Sequence, residues 1–238
     1  MAKDLTQGAI APWLYRLTAP MVLGIMAMFL FNLVDTYFIS LLGTQPLAAI
    51  SFTFPVTMLV INMGIGLSIA TGAVVARALG QKDQQQTTLW ISSSFYLAIL
   101  IALVLMTVGL TFQDAIFQLL GAGPELLPLI SAYMNWWFAG SVLLIILIVV
   151  NASVRATGNT KLPSLVMLFS ALLNGILDPL LIFGIGPFPE LGIKGAAIAT
   201  LISWLLALLL IMRFMIRNQL ISFRLNHAFI NSWKKLVS

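Results

Sequence analysis

Six stretches of about twenty apolar residues, separated by short segments that hold nearly all the charge, dominate this 238-residue chain. That pattern constrains the fold more than any other feature. A helix rising about 1.5 Å per residue crosses the ~30 Å hydrocarbon layer of a bilayer in about 20 residues. In lipid every backbone N–H and C=O has to be satisfied within the chain, so apolar runs of this length form spanning helices. The runs and their breakers predict spans over about 19–42, 55–76, 89–110, 129–150, 162–184 and 196–215. The expected fold class is an all-α membrane protein built as a six-transmembrane-helix bundle. Composition excludes a water-soluble alternative. With 61% hydrophobic and 8% charged residues and a mean hydropathy of +1.05, too little polar side chain exists to cover a water-facing surface. The first apolar run is too long and begins too late for a cleavable signal peptide, and no small-residue cleavage site follows it.

Charge predicts the orientation. The N-terminus, the second and fourth loops and the tail together carry +9, whereas the other three loops carry −2. Asp35 and Asp178, inside spans, supply the remaining −2 of the net +5. Basic loops stay on the cytoplasmic side, so both termini are expected in the cytoplasm and the chain in the bacterial cytoplasmic (inner) membrane. The same bias accounts for the basic isoelectric point without nucleic-acid binding. The lobe is expected over 1–217. Residues 218–238, where Phe223, Phe229 and Trp233 alternate with basic and amide residues, suit an amphipathic cytoplasmic linker.

Other chemistry is scarce. The chain has no cysteine, and its only histidine, His227, lies in the tail. No nucleophile–base pair or metal-ligand cluster is present, so neither an enzyme with catalytic residues nor a cofactor is expected. Gly64-Ile65-Gly66 lacks the strand that a dinucleotide loop needs. Two stripes of small residues, Gly64-Ser68-Gly72-Ala76 and Gly195-Ala199-Ser203-Ala207, predict close helix packing. Trp136 and Trp137 are expected at a membrane interface.

Asp35 and Asp178 need a reason. A carboxylate at the centre of a span costs about 2.5–3.5 kcal/mol on insertion scales, and no basic residue shares either predicted span. Asn32 lies three residues before Asp35, and Asn174 four before Asp178, each on the carboxylate's own helical face. Asn151 and Thr200 add a third amide and a hydroxyl. Facing helices would gather these groups into one polar cavity, where two carboxylates cannot both stay charged cheaply. Such a site takes up a proton or a hard cation with oxygen ligands. A hydrogen-bonded plug that only fixes helix register is the structural alternative. Pro20 and Pro179 free carbonyls and create bend points.

These residues resemble a known family, the multidrug and toxic compound extrusion (MATE) transporters, and within it the DinF-like branch. The resemblance rests on Pro20 with Asn32-Leu-Val-Asp35, on Ser153-Val-Arg-Ala-Thr-Gly-Asn-Thr-Lys161, and on Asn174-Gly-Ile-Leu-Asp178-Pro followed by Gly192-Ile-Lys-Gly-Ala-Ala-Ile-Ala-Thr200. It implies that the chain is the amino-terminal lobe of a two-lobe, twelve-helix fold. It further implies a cation or proton site at Asp35, Asp178, Asn174, Asn151 and Thr200, with Asn32 beside Asp35 and Pro20 bending span one. Sodium would bind at Asp35, Asp178, Asn174 and Thr200. The implied activity is export of lipophilic, often cationic, drug-like compounds in exchange for protons or sodium, the branch favouring protons. A second six-helix lobe is the expected partner, alongside membrane lipid. Since family members have twelve spans, a fragment, a split half and a self-pairing half all fit this sequence, a fragment being the favoured expectation. A lipid-linked precursor flippase of related architecture is the runner-up, but no basic residue lies inside the predicted spans to hold its pyrophosphate. A non-transporting membrane scaffold subunit is the remaining alternative.

Overall fold

The computed structural model describes residues 10–222, and among these all regular structure is α-helical. The helices are α1 (Ile10–Ser40), α2 (Thr44–Gly80), α3 (Gln84–Leu119), α4 (Leu127–Ala156), α5 (Lys161–Ile182) and α6 (Ile193–Arg217). Each corresponds to one predicted span, although α1 and α5 end two residues before theirs, at Ser40 and Ile182. Several run beyond their spans, because a helix continues into the polar interface once its backbone bonds are running. α2 begins at Thr44 rather than near residue 55, and α3 ends at Leu119 rather than near 110. Five helices are long and apolar enough throughout to cross a membrane, and α1 contributes the apolar segment Phe29–Ser40.

The connections are short, so successive helices run antiparallel. Gly43, at φ 117°, reverses the chain between α1 and α2 in three residues, a conformation side chains rarely adopt. Asp83 caps α3 by accepting a hydrogen bond from the Gln86 N–H at 2.9 Å, which satisfies one of the free donors of the first turn. One end of the bundle thus gathers the basic helix ends, including Arg77, Arg155 and Arg217. The opposite end carries the α1–α2, α3–α4 and α5–α6 connections.

α4 is the axis of the bundle and is buried along most of its length. It packs extensively on α2, α3 and α6, while α5 packs on α6 and α1 packs on α5. The order α1–α5–α6–α4–α2 makes an incomplete ring with α3 outside it. The closing contact, between α1 and α2, is sparse.

The small-residue stripes behave differently from one another. On α2 the buried line runs Gly64, Ser68, Thr71, Val75, Ala78, alternating steps of four and three, and Ala76 is exposed. A strict four-residue repeat advances about 40° per step round a 3.6-residue helix, so it leaves the face that α3 and α4 cover. On α6 the residues Gly195, Ala199, Ser203 and Ala207 are all buried, because α6 lies between α4 and α5 and is covered as the line turns. The start of the expected linker, 218–222, returns onto α3. Ser222 N–H donates to Ser92 Oγ at 2.9 Å, and Ile221 is buried. The amphipathic residues from Phe223 onward lie outside the described residues.

Candidate functional site

The ring encloses a cavity of about 460 Å³, within the roughly 300–1,000 Å³ usual for small-molecule sites. α1, α2, α4, α5 and α6 all contribute to its lining. Its two ends differ in chemistry.

At the end near the α1–α2 and α5–α6 connections, Asp35 and Thr200 line the cavity, and Asp178 and Asn174 are buried beside them. Asp35 stands five residues before the end of α1 and Asp178 four before the end of α5, and since these two helices run parallel to each other the carboxylates come to a similar depth. Both are buried, as are Asn174 and Thr200. The Asn174 amide donates to Asp178 Oδ1 at 3.0 Å and to Thr200 Oγ1 at 3.3 Å, joining α5 to α6. Asp35 and Asp178 lie within electrostatic range of each other and of the Tyr133 hydroxyl on α4. Asn32, one turn from Asp35, lines the cavity on its exposed side.

The donor count at this end is unbalanced. Asp35 Oδ1, Asp178 Oδ2 and Asn174 Oδ1 are buried acceptors without a donor among the described residues. Buried polar atoms are nearly always hydrogen-bonded, and leaving one unpaired costs about 1–3 kcal/mol. Three such oxygens, two of them on carboxylates, suit a proton or an oxygen-coordinated cation. A register-fixing plug would instead pair its amides and hydroxyls internally. Among the described residues no group of three or more histidine, cysteine or acidic side chains is placed to hold a metal ion; the oxygens suit a weakly held alkali ion or a proton.

The other end of the cavity was read differently from sequence. Asn151 shares the lining, but it stands 18 residues beyond Tyr133 on α4, about 27 Å along the helix at 1.5 Å per residue. The fold therefore separates Asn151 from the carboxylates. Arg155, counted with the fourth loop, is instead part of α4's last turn, half-buried, and lines the cavity one turn beyond Asn151. The cavity does contain a basic group.

Aromatic rings fill the space between. Trp137 is buried rather than interfacial, and its ring meets that of Trp204 edge-to-face with centroids 6.3 Å apart. Only Trp136 is exposed. Tyr133 and Trp137 lie one turn apart on α4, and Thr200 and Trp204 one turn apart on α6, so both pairs reach the cavity on parallel helices. Sequence reasoning missed Tyr133 because a tyrosine near a span end reads as an interface residue. The signal available was its one-turn spacing from Trp137.

A family model described as MatE matches residues 20–180, which include both carboxylates and Asn174. The chain belongs to the MatE family. This is the family its motifs resemble, one of membrane transporters and not of enzymes. A Shewanella oneidensis protein named FAD transporter is 45% identical over 204 residues, covering 86% of this chain and 45% of the relative. Multidrug export protein MepA of Staphylococcus aureus is 33% identical over 200 residues, covering 84% of this chain and 44% of the relative. The bent form of the Vibrio cholerae MATE transporter VcmN superposes with a TM-score of 0.88 at 33% identity, covering 95% of this chain and 51% of that one. The chain spans about half the length of the curated relatives it matches. Its all-helical fold is that of one half of a MATE transporter, and this MatE chain is a multi-pass membrane protein.

Proposed function

We propose that this MatE chain forms the ion-binding lobe of a cation-coupled exporter in the bacterial inner membrane, completed by a second six-helix lobe. The coupling ion is a proton and the cargo a planar aromatic amphiphile, flavin adenine dinucleotide or a lipophilic drug. The observation that carries this reading is the set of acceptor oxygens without a donor among the described residues on Asp35, which lines one end of an aromatic-lined cavity, and on Asp178 and Asn174, buried near it. The relatives named FAD transporter and MepA support the cargo. The Trp137–Trp204 pair supports it independently, since flat rings stack on such surfaces.

In this reading the ion binds between Asp35 on α1 and Asp178 on α5, with Asn174 and Thr200 orienting the second carboxylate. Neutralisation removes the requirement for water around the pair and lets the cavity narrow. Pro20 lies inside α1 and supplies the bend point. The ion drives the change only through its different affinity for the two states. The match to a transporter solved in a bent form supports bending as one of them.

The test uses everted vesicles carrying the complete two-lobe transporter. An imposed pH gradient is expected to drive accumulation of flavin dinucleotide or ethidium, and Asp35→Asn to reduce it at least tenfold. Unchanged accumulation in Asp35→Asn removes Asp35 from the mechanism. Accumulation that follows an imposed sodium gradient and ignores the pH gradient makes sodium the coupling ion.

A further inference from the structure

Arg155 and Asn151 stand one turn apart on the same face of α4, at the end of the cavity remote from the carboxylates. Neither is used by the ion site. Arg155 is half-buried, and its guanidinium has no ion-pair or hydrogen-bond partner among the described residues. Asn151 is 3% exposed. Its amide nitrogen donates to Leu147 O at 2.8 Å, while its Oδ1 is buried without a donor. A basic residue in a last turn ordinarily serves the helix dipole and the basic loops. Solvent-exposed Arg77 and Arg217 meet that description. Arg155 instead turns toward an apolar-walled cavity, where an unpaired cation is costly and calls for an anion.

We infer that Arg155 and Asn151 form a subsite for the phosphate and an adjoining N–H donor of a phosphorylated aromatic cargo, whose rings lie toward Trp137 and Trp204. The guanidinium's planar fork matches two phosphate oxygens, which the point charge of a lysine does not. The Asn151 Oδ1 accepts from an amino or imide N–H of the base or ring. Arg155 lies 22 residues beyond Tyr133 on α4, about 33 Å along the axis, so the cargo's negative charge is kept away from the coupling carboxylates. This inference rests on the export reading above and selects, within its aromatic cargoes, those that carry phosphate.

The experiment compares flavin adenine dinucleotide, flavin mononucleotide, unphosphorylated riboflavin and ethidium as cargoes of the complete transporter. It is reconstituted in vesicles of phosphatidylcholine alone and of phosphatidylcholine with phosphatidylglycerol. Arg155→Gln is expected to raise the half-saturating concentration of the two phosphorylated flavins at least tenfold in both lipids. Riboflavin and ethidium should change less than twofold. Arg155→Lys should recover part of the loss for the mononucleotide. An equal loss for all four cargoes overturns the inference and assigns Arg155 to structure or to an acid of the second lobe. A loss confined to vesicles with phosphatidylglycerol also overturns it, the anion then being a lipid headgroup. If the wild type moves riboflavin or ethidium but no phosphorylated flavin, the subsite fails while the export reading stands. If it moves none of the four under either an imposed pH or an imposed sodium gradient, the export reading fails with it.

Discussion

Gly195 offers the most direct test of how packing holds Thr200 against Asn174. It is the third residue of α6 and faces the end of α5. A Cβ added there would lie 2.4 Å from the Leu181 carbonyl oxygen, 2.6 Å from its carbon and 2.8 Å from the Ile182 nitrogen. All three are backbone atoms, so no rotamer change relieves the contact. Restoring ordinary van der Waals distance, about 3.5 Å, requires the two helix ends to separate by about an ångström. That separation strains the bonds Leu191 N–H to Leu181 O at 3.0 Å and Gly192 N–H to Ile182 O at 3.1 Å. Overpacking costs about 1–3 kcal/mol and each weakened hydrogen bond about 0.5–1.5 kcal/mol, against about 0.5–1 kcal/mol gained by replacing a helical glycine with alanine. The net expectation for Gly195→Ala is a loss of about 2–4 kcal/mol. At about 2–4 °C per kcal/mol for a domain of this size, the melting temperature in detergent should fall by roughly 5–15 °C. The Asn174–Thr200 bond, already 3.3 Å long, should open as well, because Thr200 follows only five residues later on α6. Gly72→Ala is the control, since nothing lies within 4 Å of its added Cβ; it should be neutral or slightly stabilising. The assay is thermal unfolding by fluorescence-detected size exclusion, followed by transport at a temperature where both variants are folded. If Gly195→Ala melts with Gly72→Ala, the close approach of α5 and α6 is not what positions Thr200.

Two further outcomes follow from the same structure. Tyr133→Phe removes a hydroxyl within electrostatic range of both carboxylates and leaves the ring packing intact; it should lower ion-driven export severalfold while shifting the melting temperature by under about 4 °C, the equivalent of about 1 kcal/mol. Asp83→Ala deletes the α3 cap and should cost about 1 kcal/mol, visible as a shift of a few degrees in thermal unfolding with no change in cargo half-saturation.

The spans were legible because the bilayer sets a length that hydropathy records directly. Their ends were less legible, since helix continuation beyond the hydrocarbon is driven by backbone bonding and leaves no apolar mark; the start of α2, Thr44-Gln45-Pro46, is polar. Asp35 and Asp178 stood out because a charge in an apolar run has no cheap explanation. Asn151 joins them in the sequence reading through its residue type and the family resemblance, neither of which carries depth. Counting depth would have separated it: it follows the predicted end of span four, whereas Asp35 lies toward the opposite end of span one. Arg155 was lost to loop counting, which treats any charge near a helix end as solvated. Trp137 was misread because sequence does not reveal which of two adjacent tryptophans turns inward. The buried one is fixed by Trp204, 67 residues later.

The ring of helices also bears on how the two proposed subsites, for ion and for cargo, would communicate from opposite ends of the cavity. Charges some 20–30 Å apart interact weakly even inside a protein, since the Coulomb energy at an effective dielectric near 20 is only about 0.5–0.8 kcal/mol. Direct electrostatics therefore cannot couple them, and a shared moving element has to. The sparse contact in the ring is between α1 and α2. It is pinned beside Asp35 by the three-residue connection at Gly43. Pro20 lies toward the other end of α1, and Gly24 approaches Ser164 at the remote end of the cavity. A bend at Pro20 thus acts next to Arg155 and Asn151, while its trigger sits at the pinned end with Asp35. Linkage makes the coupling reciprocal. If ion binding narrows the remote end and expels cargo, cargo held there must weaken ion binding by the same factor.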